Sequence, residues 1–219
     1  MIFLTFSFYA FAQNDSITKK PLKYSVDFKF NDGVYMGIED VKRNNPIPKA
    51  RIVYSGDYND YSFFENVLSG DIFYVLDNLG QKRELLVKEI WGFSQNGILF
   101  IYWNNEFNRI PVFGSISHFI ADKTVIDNNY NPYDNYYNRY NSFYYPTNQN
   151  IKKELMQYLL DMETGNIMNY NYKNVEILLM KDDKLYEEFV KLKKKEKKQL
   201  KFLYLRKYNE KHPFYFITN

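Results

Sequence analysis

Residues 91–126 read WGFSQNGILFIYWNNEFNRIPVFGSISHFIADKTVI and set the fold class of the chain. Three pairs of turn-forming residues divide this stretch, namely Asn96-Gly97, Asn104-Asn105 and Gly114-Ser115. Asn-Gly tolerates the positive φ angles of a two-residue hairpin turn and is the strongest short hairpin signal in the sequence. Apolar segments between such turns predict antiparallel strands in a meander. The longest of them, Ile98–Trp103, predicts a strand that is covered on both faces.

Upstream of this stretch, the sequence predicts further strands and one helical turn. Residues 23–30 (KYSVDFKF) alternate polar and apolar side chains, as a half-buried strand does. Residues 34–36 predict a shorter strand, and residues 71–77 (DIFYVLD) predict a strand that ends at a turn. Residues 38–43 predict a helical turn that ends before Pro46.

Downstream, the spacing of the apolar residues changes from that of strands to that of helices. Residues 155–170 predict a hairpin with a loop at Glu163-Thr164-Gly165. Residues 174–180 predict a short helix, Asp182-Asp183 predicts the cap of a second helix, and residues 199–208 predict a third. We therefore expect an α+β fold, in which an antiparallel β meander or sheet is followed by a C-terminal pair or triplet of helices.

The composition agrees with one folded domain. The 219 residues are 45% hydrophobic and 25% charged, which is ordinary for a globular protein of this length. Aromatic residues make up 20% of the chain, with 22 Tyr and 19 Phe, and aromatic side chains favour strands. We expect a single α+β domain over residues 13–219.

Residues 127–150 predict a low-complexity insertion within this domain. Eight of these 24 residues are Asn and seven are Tyr. A segment with so few aliphatic side chains cannot offset its ordering entropy by burial. Tyr rings and Asn amides can contact a glycan or a protein, and the alternative is a solvated loop without a partner. The candidate binding residues in the insertion are Tyr136, Tyr137, Tyr140, Tyr144 and Tyr145.

Residues 1–12 predict a cleaved signal peptide. Residues 1–11 (MIFLTFSFYAF) are apolar and uncharged, and Ala10 and Ala12 place small side chains before a cleavage site at Gln13. The run is far shorter than the ~20 residues of a membrane-spanning helix, so we expect no transmembrane segment in the mature chain. The alternative is a buried N-terminal strand. A signal peptide predicts an exported protein, in the periplasm, on the cell surface or outside the cell.

Missing residue types exclude or disfavour several classes of site. The chain has no Cys, which excludes disulfides, thiolate metal sites and Cys nucleophiles. It has neither a Gly-rich phosphate loop nor a dinucleotide fingerprint, so no cofactor is expected. His118 is expected to be a strand residue bonded inside the sheet, with a general base as the alternative, and His212 is expected to close the last helix. We predict no metal site and identify no catalytic residue.

Positive charge is concentrated near the C-terminus. Residues 181–211 contain 12 basic and 6 acidic residues, a local net charge of +6 in a chain whose net charge is +3. The run from Lys193 to Lys198 (KKKEKK) predicts a peripheral contact with anionic lipid or phosphates, and the alternative is a solvated helix face. A short basic run alone is a weak sign of nucleic-acid binding, which we therefore do not expect.

Three parts of the sequence resemble an uncharacterised family of exported proteins from the Bacteroidota. They are Asp32-Gly33-Val34-Tyr35 with Asn44-Asn45-Pro46; Trp91-Gly92-Phe93, Asn96-Gly97, Phe107-x-Arg109-Ile110 and Gly114-Ser115-Ile116-x-His118-Phe119; and Leu185-Tyr186-x-x-Phe189 with Tyr208-Asn209-x-x-His212-Pro213. Together they span most of residues 32–213, and the insertion at 127–150 is not part of the pattern. The family has no assigned activity, so the resemblance implies export and a single domain and carries over no catalytic residue.

The leading hypothesis is a non-catalytic exported protein that binds a partner, either a protein or a glycan, or that is associated with the cell envelope. The alternative is an envelope hydrolase that uses Asp/Glu chemistry on glycan or peptide. It rests on the abundance of carboxylates, because a glycosidase needs two of them across a cleft. If the chain has a buried functional site, Arg109 and His118 are the candidate residues, because they fall on strands predicted to be neighbours.

Overall fold

The computed structural model describes residues 21–127 and 150–217. These residues form antiparallel strands and helices in the expected α+β arrangement, with the longer helices near the C-terminus. The strands are β1 (Leu22–Lys23), β2 (Gly33–Tyr35), β3 (Ile47–Pro48), β4 (Ile52–Val53), β5 (Ile72–Leu76), β6 (Lys82–Leu86), β7 (Gly92–Gln95), β8 (Ile98–Trp103), β9 (Glu106–Arg109), β10 (Ile116–Asp127), β11 (Asn150–Asp161), β12 (Ile167–Asn169) and β13 (Tyr215–Phe216). The α-helices are α1 (Ile38–Lys42), α2 (Phe63–Val67), α3 (Tyr172–Leu179), α4 (Asp183–Val190) and α5 (Lys194–Lys211).

A five-stranded antiparallel sheet, ordered β3-β2-β7-β8-β9, contains the predicted meander. β7 and β8 meet in a hairpin whose turn residues, Asn96 and Gly97, have φ angles of 54° and 76°. β8 and β9 meet at Asn104 and Asn105, with φ angles of 55° and 64°. Positive φ at both central residues is the mark of a type I′ turn, whose twist matches that of its two strands. The hairpins predicted from these dipeptides are confirmed.

β8 is covered on both faces, as its apolar run predicts. Leu99 and Ile101 pack into a cluster shared with a second sheet, ordered β10-β11-β12. Phe100 and Tyr102 pack against a cluster shared with α2 and a third sheet, ordered β4-β5-β6. The five-stranded sheet therefore lies between these two sheets.

The β10-β11 hairpin joins the sheets to the helices. Phe119 and Tyr158 are paired across its strands, and their rings stack with centroids 5.4 Å apart on the side of the five-stranded sheet. Leu159 faces the opposite side, where it packs on α3, α4 and α5. The turn after β11 places Gly165 at a φ of 79°, which glycine adopts without steric cost. The hairpin predicted for residues 155–170 is confirmed, with a first strand that begins earlier.

The three C-terminal helices form the outer layer on this side. The side chain of Asp182 accepts a hydrogen bond from the backbone N–H of Leu185 and caps α4, as predicted. α5 begins at Lys194, earlier than the start expected at residue 199. The carboxylate of Glu196 accepts a 2.8 Å hydrogen bond from the backbone N–H of Lys193 and closes the first turn. Because this cap is local and polar, the apolar spacing does not reveal where the helix begins.

The strand expected at residues 23–30 is wrong over most of its length. Only its first residue belongs to a strand, in β1, which pairs with β13. The rest of the segment is irregular and is held by aromatic rings: Phe28 stacks on Phe216 with centroids 4.1 Å apart, and Tyr24 lies 4.8 Å from Phe113. Any extended segment can turn one face of alternating side chains toward a core. The pattern therefore does not distinguish a paired strand from an extended segment without a partner strand.

Candidate functional site

Arg109 and His118, the two residues proposed from the sequence, lie on adjacent elements, but their side chains contact different parts of the protein. Arg109 ends β9 and is exposed, whereas His118 is half-buried in β10. The backbone N–H of His118 donates to the carbonyl of Val112 at 2.9 Å, which places β10 beside the segment that follows β9. Arg109 lines a cavity beside β8, and the ring of His118 instead meets Tyr170 on the side of the helices. The two side chains therefore do not form one site.

His118 has the surroundings of a structural residue. Its Nε2 lies 3.2 Å from Oε1 of Gln157, and its ring centroid lies 4.9 Å from that of Tyr170 and 6.2 Å from that of Phe202. Burial lowers the pKa of His118, the bond to Gln157 opposes this shift, and the positive charge of Lys201 adds to it. The neutral imidazole, bonded across the hairpin, agrees with the expected strand histidine.

A cavity of about 460 Å³ lies beside Arg109. The irregular segment 24–30 forms one wall, and residues 96–99 with residues 109–113 form the other. The aromatic residues of the lining are Tyr24, Phe28, Phe30 and Phe113. Burial raises the pKa of Tyr24, so its hydroxyl remains protonated and can donate a hydrogen bond. The volume of the cavity lies within the range of small-ligand sites, and its lining combines aromatic rings with charged side chains.

Three charged side chains lie around this cavity without a partner in the described part of the chain. Arg109, Lys29 and Asp27 all line it, and all three are exposed. None of them makes a hydrogen bond or an ion pair with another described residue. Their charged groups are therefore available to a ligand, and the guanidinium of Arg109 can bind a carboxylate or a phosphate through two parallel hydrogen bonds.

A second cavity, of about 400 Å³, continues from the first. Tyr24, Val26 and Phe113 line both of them. The charged residues of the second cavity are Lys23, Arg206 and Glu210. On α5, Nη2 of Arg206 lies 3.9 Å from Oε1 of Glu210. Such a long, exposed ion pair restrains the Arg206 side chain only weakly. We refer to the two cavities together as the aromatic groove.

Sequence reasoning missed most of the aromatic groove. It identified Arg109, but it assigned residues 23–30 to a strand and not to the wall of a cavity. The sequence does indicate an aromatic wall, because Tyr24, Phe28 and Phe30 occupy three of the four apolar positions of this alternating segment. What it lacks is any sign that Phe113 and Phe216 supply the packing that a neighbouring strand would otherwise give.

Asp182 joins the ends of two helices. Its side chain is 2% exposed and lies 2.6 Å from Nζ of Lys211 and 2.5 Å from Nε2 of His212, both at the end of α5. The bonds from Lys211 and then from His212 hold the pKa of Asp182 well below its usual range. A carboxylate kept ionised in this way fixes the two helices to each other and is a poor general acid. The predicted role of His212 at the end of the last helix agrees with this arrangement.

A third cavity, of about 380 Å³, lies against Asp161 and His212. The buried carboxylate of Asp161 lies 2.8 Å from Nζ of Lys181, and the same ammonium group lies 2.6 Å from the exposed carboxylate of Glu163. Burial alone would lower the pKa of Lys181, but its bonds to the two carboxylates outweigh this effect and raise it. The acidic groups of this cavity are therefore occupied by a structural ion pair.

Ser115, His212 and Asp182 are close together but are not arranged as a nucleophilic triad. Oγ of Ser115 donates a 2.6 Å hydrogen bond to the backbone carbonyl of His212 and not to its ring. The Nε2 atom of that ring faces Asp182. A triad needs the hydroxyl bonded to the ring nitrogen that is not held by the acid. This arrangement therefore does not activate the serine.

The lysine run lies on the first turns of α5. Lys197 is mostly buried and lies 2.7 Å from the carboxylate of Glu176. Lys194, Lys195 and Lys198 are exposed, and within the described part of the chain they have no hydrogen-bonding or ionic partner. Lys193 is likewise exposed and without a side-chain partner among the described residues, so the run combines one anchoring lysine with four such ammonium groups.

Several predicted features lie outside the described residues. They are the signal peptide at residues 1–12 and the candidate residues Tyr136, Tyr137, Tyr140, Tyr144 and Tyr145. Within residues 21–127 and 150–217, no group of three or more His, Asp and Glu side chains could hold a metal ion. None of the helices in these ranges is both long and apolar enough to cross a membrane. Comparisons of the chain with protein-family profiles, with curated proteins and with solved structures find no match.

Proposed function

We propose that the chain is an exported protein that binds its ligand in the aromatic groove without chemically changing it. The observation that carries this proposal is that Arg109 and Lys29, which have no partner among the described residues, lie beside a cavity of about 460 Å³ lined by aromatic rings. Water solvates exposed charges over most of a protein surface, so a missing partner alone does not mark a site. Here the two charges lie at a concave surface lined by aromatic rings, as in a site that is completed by a ligand.

The state of the buried carboxylates disfavours the alternative of an Asp/Glu hydrolase. Asp161 and Asp182 are buried, and each lies within 2.8 Å of an ammonium group. A glycosidase needs one carboxyl group that is protonated before the reaction, and this requires a raised pKa. The pKa of Asp182 is instead lowered by Lys211 and His212. In the first cavity of the aromatic groove, Asp27 is the one acidic residue of the described lining, whereas a glycosidase needs two carboxyl groups.

Export is supported by the sequence alone. Residues 1–12 have the apolar run and the small residues of a signal peptide, and the resemblance to exported Bacteroidota proteins points the same way. Export would place the groove in contact with envelope and environmental molecules, such as surface proteins and glycans.

The proposal is tested with a fluorescent reporter in the groove. The chain has no Cys, so a single introduced Cys is the only labelling site. Val26 lines both cavities and is 90% exposed, which makes Val26→Cys a suitable position for an environment-sensitive fluorophore. Leu79→Cys is the control, because Leu79 is 81% exposed and lies in the turn between β5 and β6.

Each labelled protein is titrated with polysaccharide and with protein extracted from cell envelopes. We expect a saturable change in fluorescence at position 26 and none at position 79, with the bound material recovered at its original mass. If position 26 does not respond to either extract, the groove is not a binding site. If the bound material is recovered shortened, the protein is a hydrolase.

A second function, a peripheral contact through the run from Lys193 to Lys198, is favoured by three exposed lysines of α5 that have no partner in the described part of the chain. Lys194, Lys195 and Lys198 concentrate positive charge at one end of a helix, and each lysine near an anionic surface contributes about 1 kcal/mol. Changing Lys193, Lys194 and Lys195 to Gln should abolish salt-sensitive binding to vesicles that contain anionic lipid. A control that changes Lys82, Lys88 and Lys123 removes the same charge elsewhere and should still bind. Equal binding by the two variants would show that only the net charge matters.

A further inference from the structure

We infer that the ligand of the aromatic groove is an acidic oligosaccharide. This inference rests on the proposed function and names the class of molecule that the groove takes. It depends on three properties of the groove, which are its excess of positive charge, its half-buried aromatic rings and the state of the backbone groups along its walls.

The groove has a net positive charge. Its basic residues are Lys23, Lys29, Arg109 and Arg206, and its acidic residues are Asp27 and Glu210. Arg109 and Lys29 lie in the first cavity, and Lys23 and Arg206 lie in the second. Anionic groups at intervals along one chain could therefore be bound in both cavities. Repeating acidic sugars have this distribution of charge.

Aromatic rings line the groove between these charges. Tyr24 and Phe113 belong to both cavities, with ring centroids 4.8 Å apart, and both rings are half-buried. Phe28 is also half-buried and is held by its stacking on Phe216. Partly exposed rings that are fixed by their neighbours present rigid apolar surface, on which the C–H faces of a sugar can pack. The Tyr24 hydroxyl and the carboxylate of Asp27 can bond the sugar hydroxyls.

The backbone of the groove does not suit a peptide that binds as an added strand. Such a peptide needs a row of free N–H and C=O groups along one wall. On one wall, the N–H of Ile110 already donates to Leu99 at 3.0 Å, and Pro111 has no N–H. On the other wall, the N–H of Phe28 donates to Ser25 at 3.0 Å and that of Phe30 to Gly97 at 3.3 Å. These bonds interrupt the row of free groups on each wall, which favours recognition by side chains and therefore a sugar chain over a peptide strand.

The test uses the protein labelled at Val26→Cys and four defined probes of similar length. These are oligogalacturonate, which carries carboxylates; sulfated dextran; neutral dextran; and polyglutamate. We expect saturable binding of oligogalacturonate, of sulfated dextran or of both, and no binding of neutral dextran. The first two probes distinguish a carboxylate from a sulfate as the anionic group. Tight binding of polyglutamate, or equal binding of neutral dextran, would overturn the inference.

Two substitutions tie the binding to the groove. Arg109→Gln should weaken the binding of the acidic oligosaccharide by about ten-fold or more, because it removes a charge-assisted bidentate contact. Arg109 is exposed, so this variant should fold normally, which circular dichroism can verify. Arg83→Gln is the matched control, because Arg83 is exposed and, within residues 21–127 and 150–217, its side chain pairs only with Asp77. An equal effect of the two substitutions would overturn the assignment to the groove.

The same reporter distinguishes failure of this inference from failure of the proposed function. If envelope extract changes the fluorescence at position 26 but no acidic oligosaccharide does, the groove binds a ligand of another class and only the inference is overturned. If neither changes it, the proposed function fails as well.

Discussion

The side-chain amide of Asn209 forms two hydrogen bonds with the backbone of Ile116. Its Oδ1 accepts from the N–H of Ile116 and its Nδ2 donates to the carbonyl, each at 2.8 Å. An amide used in this way takes the place of a neighbouring strand at Ile116, two residues before the bridge between His118 and Val112 on the same edge of β10. It also links α5 to the sheet across 93 residues of sequence. Gly114 leaves room for this contact, because a Cβ there would lie 2.7 Å from Nδ2 of Asn209.

We predict that Asn209→Ala lowers the free energy of unfolding by about 2 kcal/mol, because it leaves the N–H and C=O of Ile116 without their partners at a buried position. Urea unfolding followed by circular dichroism measures the loss. Asn209→Asp keeps the acceptor for the Ile116 N–H but sets a carboxylate oxygen against the Ile116 carbonyl, so it should not restore the lost stability. A loss below about 0.5 kcal/mol for Asn209→Ala would mean that water satisfies these groups equally well.

Asp182 makes the stability of the protein sensitive to acid. Its folded-state pKa lies below the unfolded value because of Lys211 and His212, so the unfolded chain takes up a proton first as the pH falls. The stability from these bonds is therefore complete above about pH 4 and is lost as the pH falls toward the folded-state pKa.

Asp182→Asn tests this effect, because Asn also caps helices but cannot ionise. We expect the variant to be less stable than the wild type at pH 7 and to lose less stability on acidification. Urea unfolding at several pH values between about 2 and 7 measures both properties. Parallel stability profiles for the two proteins would contradict the role given to Asp182.

His118 should titrate below the ordinary histidine value of about 6.5, because burial disfavours its charged form. The unfolded chain then binds a proton first, so His118 reduces the stability of the fold as the pH falls below about 6.5. An NMR pH titration of the two histidine rings measures this pKa, and His118→Gln identifies its signal by removing it. A pKa at or above 6.5 would show that the ring is better solvated than its contacts indicate.

Gly92 is needed for the close approach of β7 to β8. A Cβ at this position would lie 2.0 Å from the carbonyl oxygen of Phe100, and a backbone atom cannot move aside as a side chain can. Gly92→Ala should therefore cost about 1–3 kcal/mol or more, measured by thermal unfolding. Gly70→Ala is the control: its nearest atom would be the carbonyl oxygen of Ile72, 3.9 Å away, so its effect should stay within about 0.5 kcal/mol. Equal effects of the two substitutions would contradict the pairing of β7 with β8.

The features that the sequence predicts best are those that depend on local chemistry. The turns at Asn96-Gly97 and Asn104-Asn105 follow from the tolerance of these residues for positive φ, and the cap at Asp182 follows from its side-chain acceptor. The cover on both faces of β8 follows from an apolar run without alternation. Each of these signals is contained within a few residues.

The features that the sequence does not predict depend on distant parts of the chain. The aromatic groove brings residues 23–30 together with residues 96–99, 109–114 and 206–214. Lys181 is paired, whereas Arg109 has no partner among the described residues, and this difference depends on which carboxylates the fold places nearby. No local pattern contains this information. The single-domain organisation and the binding role of the tyrosines in the insertion remain predictions.

The measurement that tests the central claim most directly is the N-terminal mass of the protein recovered from fractionated cells. The whole chain is expressed with a C-terminal tag in a related host, and each fraction is analysed by mass spectrometry. An exported binding protein should be found in the periplasmic or extracellular fraction with Gln13 as its first residue. A cytoplasmic protein that retains Met1 would contradict export and would exclude envelope and environmental molecules as ligands of the groove.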